Sequence, residues 1–200
     1  MTIEFIYKSP IVEESISKDY KAFEVTLLGE GVSGHKIEYI CEETNFDYVA
    51  KTAVGKDIYY GQDIVGKHDA PPMKTEDGKT SGEFYSGRPS IGKIVRVWVD
   101  KKARKVKAII HITDPILKDQ IKPDWGISIR GVCDTLKPIL TKAKTIFRAI
   151  RMRIHDINLF QPKQRRGMQT SKVEKVLSES MEFKTELYIL EGDTDGVFIV

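Results

Sequence analysis

The sequence predicts an α+β fold built mostly from antiparallel strands, with short helices beside them. Three observations carry this. Two β-branched runs, Ile91–Val99 and Val106–Thr113, flank the polar join Asp100-Lys101-Lys102-Ala103-Arg104-Lys105, which reads as a hairpin. Two further runs, Gly126–Val132 and Arg151–Phe160, alternate apolar and polar residues as half-buried strands do. Helical periodicity is confined to short stretches.

In chain order, Ala22–Leu28 reads as a strand. Residues 36–53 place apolar side chains at Ile37, Ile40, Cys41, Tyr48 and Val49, a weakly amphipathic helix that Asn45 interrupts. The stretch Asp69–Ser90, punctuated by proline and glycine, reads as a long loop. Pro115, with its fixed φ, starts a short helix over 116–121. Residues 139–149 fit no single period.

Composition excludes several classes. Of 200 residues, 40% are hydrophobic and 30% charged, enough apolar material for a core. No run approaches the ~18 apolar residues of a membrane span, and Met1-Thr2-Ile3-Glu4-Phe5 lacks the pattern of a secretion signal. Two cysteines, Cys41 and Cys133, suit neither a disulfide scaffold nor a cysteine zinc module, and a reducing compartment is expected. A net charge of +3 does not by itself argue for nucleic acid. The charge is uneven, however. Lys137–Arg166 holds nine Lys or Arg against one acid, and Ser171–Val200 holds seven acids against three lysines. The expected organisation is a domain over 1–167 and a loosely packed acidic tail over 168–200, which either stays solvated or docks on the basic segment.

Two phosphate-binding patterns are rejected. Gly29-Glu30-Gly31-Val32-Ser33-Gly34 matches a dinucleotide turn, but no parallel strand ending in an acid follows it. Gly61-Gln62-Asp63-Ile64-Val65-Gly66-Lys67 matches a phosphate loop, but His68 stands where Ser or Thr is needed and no helix follows. Among His35, His68, His111 and His155 no pair has helical zinc spacing, so neither metal nor cofactor is expected.

Trp125-Gly126-Ile127-Ser128-Ile129-Arg130-Gly131 puts a small hydroxyl on a strand, with Arg130 on the same face and glycines at both ends that would leave room for a substrate backbone. It is not the nucleophile elbow of α/β-hydrolases, whose glycine spacing differs.

Three blocks taken together resemble the prohead (head maturation) protease family of tailed phages, which shares the fold of herpesvirus assemblin. They are Ile64-Val65-Gly66-Lys67-His68-Asp69-Ala70-Pro71, then Gly126-Ile127-Ser128-Ile129-Arg130-Gly131, then His155-Asp156-Ile157-Asn158-Leu159-Phe160-Gln161-Pro162. The resemblance implies a β-barrel with flanking helices and a serine endopeptidase with Ser128 as nucleophile and His68 as general base. Asp156 would hold the imidazole, with His155 as the alternative, since strand alternation lets one of the two face His68. Oxyanion or substrate contacts would come from Arg130 or from Arg165 and Arg166. The substrates would be scaffold and major capsid proteins inside an assembling procapsid in the host cytoplasm, with self-association into a homo-oligomer open and no membrane partner. The chain itself offers apolar-x-Glu-small sites at Glu30, Glu179 and Glu191. The rivals are a nucleic-acid or capsid-assembly module, resting on the basic segment with Phe147 and Phe160, and an inactive structural relative.

Overall fold

The computed structural model describes residues 20–61, 73–74, 80–81, 87–140, 145–162 and 171–177. Eleven strands are present among them: β1 (Lys21–Gly29), β2 (Gly31–Val32), β3 (Ile37–Tyr39), β4 (Asp57–Tyr60), β5 (Met73–Lys74), β6 (Thr80–Ser81), β7 (Gly92–Asp100), β8 (Lys105–Ile112), β9 (Gly126–Leu140), β10 (Thr145–Phe160) and β11 (Lys172–Val176). Helix α1 spans Phe46–Ala53 and α2 spans Leu117–Gln120.

Seven strands close into a barrel in the order β4-β7-β8-β1-β11-β9-β10 and back to β4. The barrel is mixed, where the sequence predicts a mostly antiparallel one. β9 pairs with β10 along its whole length, and both β3 and β4 pair with β10 in parallel. β3 lies beside Phe147 and Arg148, and β4 beside Ile157–Leu159, so β3 and β4 share the edge of β10 that β9 leaves open. Between them the chain detours through a π-helical turn, Cys41–Asn45, and α1. The helix expected over 36–53 is shorter: its first part is strand β3, and the interruption at Asn45 is the helix start. Asn45 sits at φ 59°, and its side chain accepts the Tyr48 N–H at 3.0 Å. Phe46, Val49 and Ala53 then face the core.

Alternation explains the rest. On β1 and β8, Phe23, Val25, Ala108, Ile110 and Ile112 point inward, fully or almost fully buried. The β7–β8 hairpin runs as expected, with Asp100 accepting the Ala103 N–H at 2.8 Å in its turn. Asp114 receives the Ile116 and Leu117 N–H groups ahead of α2. The sheet continues past residue 167 into β11. β11 pairs with β1, Val173 is fully buried, and Leu177 packs on Ala22 and Ile109. Of the acidic tail, residues 168–170 and 178–200 lie outside the described residues.

His111 on β8 is buried and stacked on Tyr20, with ring centroids 3.9 Å apart. Burial pushes its pKa down to about 4, against about 6.5 in an unfolded chain. The folded state therefore binds the proton less well than the unfolded state. The contribution to stability is complete above pH ~6.5 and is lost as pH falls towards 4, on the order of 3 kcal/mol in all. Urea unfolding at stepped pH should show this slope in the wild type and a shallower one in His111→Phe; equal slopes would contradict it.

Candidate functional site

The strands β9 and β10 run antiparallel with Ser128 opposite Asn158, Ile129 opposite Ile157, and Arg130 opposite Asp156. Ile127, Ile157 and Leu159 join the barrel core. Ser128, Arg130, Asp156 and Asn158 therefore share the other face, as a two-by-two polar patch. The β10 half of that face is covered, whereas Ser128 and Arg130 are half-buried. Asp156 is 2% exposed, Asn158 1% and Phe160 fully buried.

A β-bulge creates this arrangement. Ile154 pairs with Gly131 and Asp156 with Arg130, so His155 is an extra residue on β10. Met152 and Ile154 point into the core before it, and Ile157 and Leu159 after it. The phase flips at His155 and turns Asp156 towards the Ser128 face. The bulge also brings the neighbouring side chains His155 and Asp156 close to each other. His155 Nδ1 lies 3.4 Å from Asp156 Oδ2, although His155 itself is largely exposed.

Arg130 grips the same carboxylate oxygen with Nε at 2.6 Å and Nη2 at 2.5 Å. Both partners are buried, which removes the screening that weakens surface pairs. Arg130 Nη1 is buried without a hydrogen-bond partner among the described residues, and so are both amide atoms of Asn158. Asn158 was missed in the sequence, where an asparagine between isoleucine and leucine reads as an ordinary alternating position.

The space beside the glycines that flank Ser128 is taken by other side chains. A Cβ at Gly126 would lie 2.2 Å from the Phe160 ring, and one at Gly131 would lie 2.4 Å from Met152 Cε. They seat those side chains instead.

The structure thus brings Ser128, Arg130, Asp156 and His155 together. His68, Arg165 and Arg166, and the phosphate-loop-like segment before His68, lie outside the described residues. Two arginines of the basic segment are paired in cis. Arg148 bonds Glu38 and Glu43 at 2.7 Å each, and Arg151 bonds Asp134 at 3.3 Å while lying over the Tyr48 ring. Both cysteines are free thiols, and burial pushes the pKa of each up. Among the described residues no helix is long and apolar enough to cross a membrane.

What the fold and site define is a closed β-barrel carrying a hydroxyl, a guanidinium, a carboxylate and an amide side by side on one ladder. Compared with known protein families, curated proteins and solved structures, the chain matches none.

Proposed function

We propose that the chain is a serine endopeptidase of the prohead-maturation kind, with an assemblin-like barrel, that cleaves scaffold and capsid proteins inside an assembling procapsid and trims itself. One observation carries the reading. Ser128 and Asp156, far apart in sequence, sit diagonally across one ladder on the same face, and a bulge aims the carboxylate there. In support, β4 ends at Tyr60, in register with Leu159 beside the Ser128 row. About eight residues separate Tyr60 from His68, a tether long enough to bring the imidazole to the hydroxyl.

In this reading His68 takes the Ser128 proton as Oγ bonds to the substrate carbonyl carbon, and the carbonyl electron pair moves onto oxygen. When that pair returns, the C–N bond breaks and the leaving amine takes the proton from His68. Water then hydrolyses the acyl-enzyme by the same path. Asp156, held by Arg130, stabilises the imidazolium, with His155 as the alternative group for that place.

A nucleic-acid surface is the weaker alternative, because Glu38, Glu43 and Asp134 already pair with Arg148 and Arg151.

A fluorophosphonate probe should phosphonylate Ser128 in the wild-type chain, mapped by peptide mass spectrometry; a wild type that stays unlabelled overturns the proposal. Intact-mass spectrometry should also show tail loss in the wild type and none in Ser128→Ala. The cleavage order follows from the fold. Glu30 is excluded, because Leu28 is fully buried, the Glu30 N–H bonds Arg104 O, and Arg104 clasps its carboxylate. Cleavage at Glu179 requires Leu177 to leave its patch on Ala22 and Ile109. Glu191 should therefore be cut first, and prior cutting at Glu179 would contradict the packing argument.

A further inference from the structure

Asn158 is buried to 1% exposure directly across the ladder from Ser128, and neither its amide N–H donors nor its carbonyl oxygen has a hydrogen-bond partner among the described residues. Burying an amide with both ends unpaired is costly, and native structures seldom tolerate it without a reason. The neighbouring Arg130 Nη1 is buried and unpartnered as well, while the rest of that guanidinium is committed to Asp156. Two idle N–H donor groups therefore flank one hydroxyl, one across the strand pair and one along the strand. Side chains directly opposite each other on adjacent strands have Cβ atoms ~5 Å apart. An atom bonded to Ser128 Oγ lies within reach of an amide at that position.

We infer that Asn158 is an oxyanion donor: its Nδ2 hydrogens bind the carbonyl oxygen of the scissile peptide as negative charge develops there, assisted by Arg130 Nη1. This rests on the endopeptidase reading and deepens it by assigning a catalytic group. The donor is built in before substrate arrives, so no reorganisation is needed as the charge forms. Asn158 is buried, so water screens the interaction little. The Asn158 amide has no partner among the described residues that the substrate oxygen would have to displace.

The test uses the full chain with a fluorogenic peptide copying residues 186–195, alongside the fluorophosphonate probe. In Asn158→Leu, a shape-matched change, kcat should fall about 100- to 1000-fold with KM within about threefold. The melting temperature should rise, because an unsatisfied buried amide is replaced by an apolar group of similar size. Asn158→Ala should lose kcat to a similar extent, which covers the case in which leucine packs badly. Labelling of wild-type Ser128 together with kcat retained within about threefold in both variants overturns the donor assignment and leaves the peptidase standing. A wild type that neither labels nor cleaves overturns the peptidase and the donor role together.

Discussion

Replacing Arg130 with alanine is expected to destabilise the chain by about 3–5 kcal/mol, measured by urea unfolding at pH 7. The Arg130 side chain is 10% exposed and that of Asp156 3%, so the substitution removes the cation that offsets a buried carboxylate. Asp156→Leu strands the guanidinium in the same way and should cost a similar amount. Removing both charges, as Arg130→Met with Asp156→Leu, should cost far less than the sum, because the desolvation of two ions disappears with their attraction. A single-variant cost below about 1 kcal/mol would mean that the pair behaves as a surface ion pair, and the buried-charge argument would fail. The double variant also separates stability from chemistry. Folded but unable to cleave, where Arg130→Met alone still cleaves, it would assign the imidazole-holding role to Asp156. Folded and still cleaving, it would pass that role to His155, which lies 3.4 Å from the same oxygen. His155→Ala should barely change stability, since that side chain is 46% exposed.

Parts of this architecture can be read from residues alone, for reasons that differ by element. The β7–β8 hairpin is legible because inward and outward side chains alternate on both sides of a polar turn. The break at Asn45 is legible because asparagine tolerates left-handed backbone and caps with its side chain, whereas β3 ahead of it is misread as helix. Barrel closure is not, since the ladders that close it join β4 to β10 and β11 to β9 across long sequence separations. The parallel pairing of β3 and β4 with β10 is hidden for the same reason, and the mixed barrel follows from it. β11 is hidden inside an acidic segment because its charges are used locally. Glu174 accepts from Thr26 and Lys107, and Lys175 pairs with Glu24. At the candidate site, Ser128 and Arg130 are legible as one strand face. The bulge at His155 left a trace that alternation alone misreads. The apolar positions shift from even, Met152 and Ile154, to odd, Ile157 and Leu159. A phase change inside a strand is the sequence signature of an inserted residue. Asn158 had no such trace, because its significance lies in the partners it lacks.

Gly126→Ala is expected to be among the most damaging small changes in the chain, although it adds a single methyl group. That methyl would lie 2.2 Å from two atoms of the Phe160 ring. Phe160 is fully buried, so the ring cannot swing into solvent and either it or the strand must move. Overpacking of this kind costs about 1–3 kcal/mol or more. Because Ser128 follows Gly126 by two residues on β9, the displacement should also lower peptide turnover. The cause can be checked with a cycle. Phe160→Ala alone should cost about 3–5 kcal/mol for the cavity, whereas in the double variant the alanine methyl occupies part of that cavity. The double variant should then be more stable than the sum of the singles by about 1 kcal/mol or more. Strict additivity would show that the ring is not the obstacle. Gly92→Ala supplies the contrasting case. Its Cβ would meet the His111 carbonyl oxygen at 2.1 Å, a backbone atom of the partner strand. Trimming His111 to alanine removes nothing from that clash, so no second-site rescue is expected there. Rescue by His111→Ala would show that the strand pairing can give where its hydrogen bonds say it cannot.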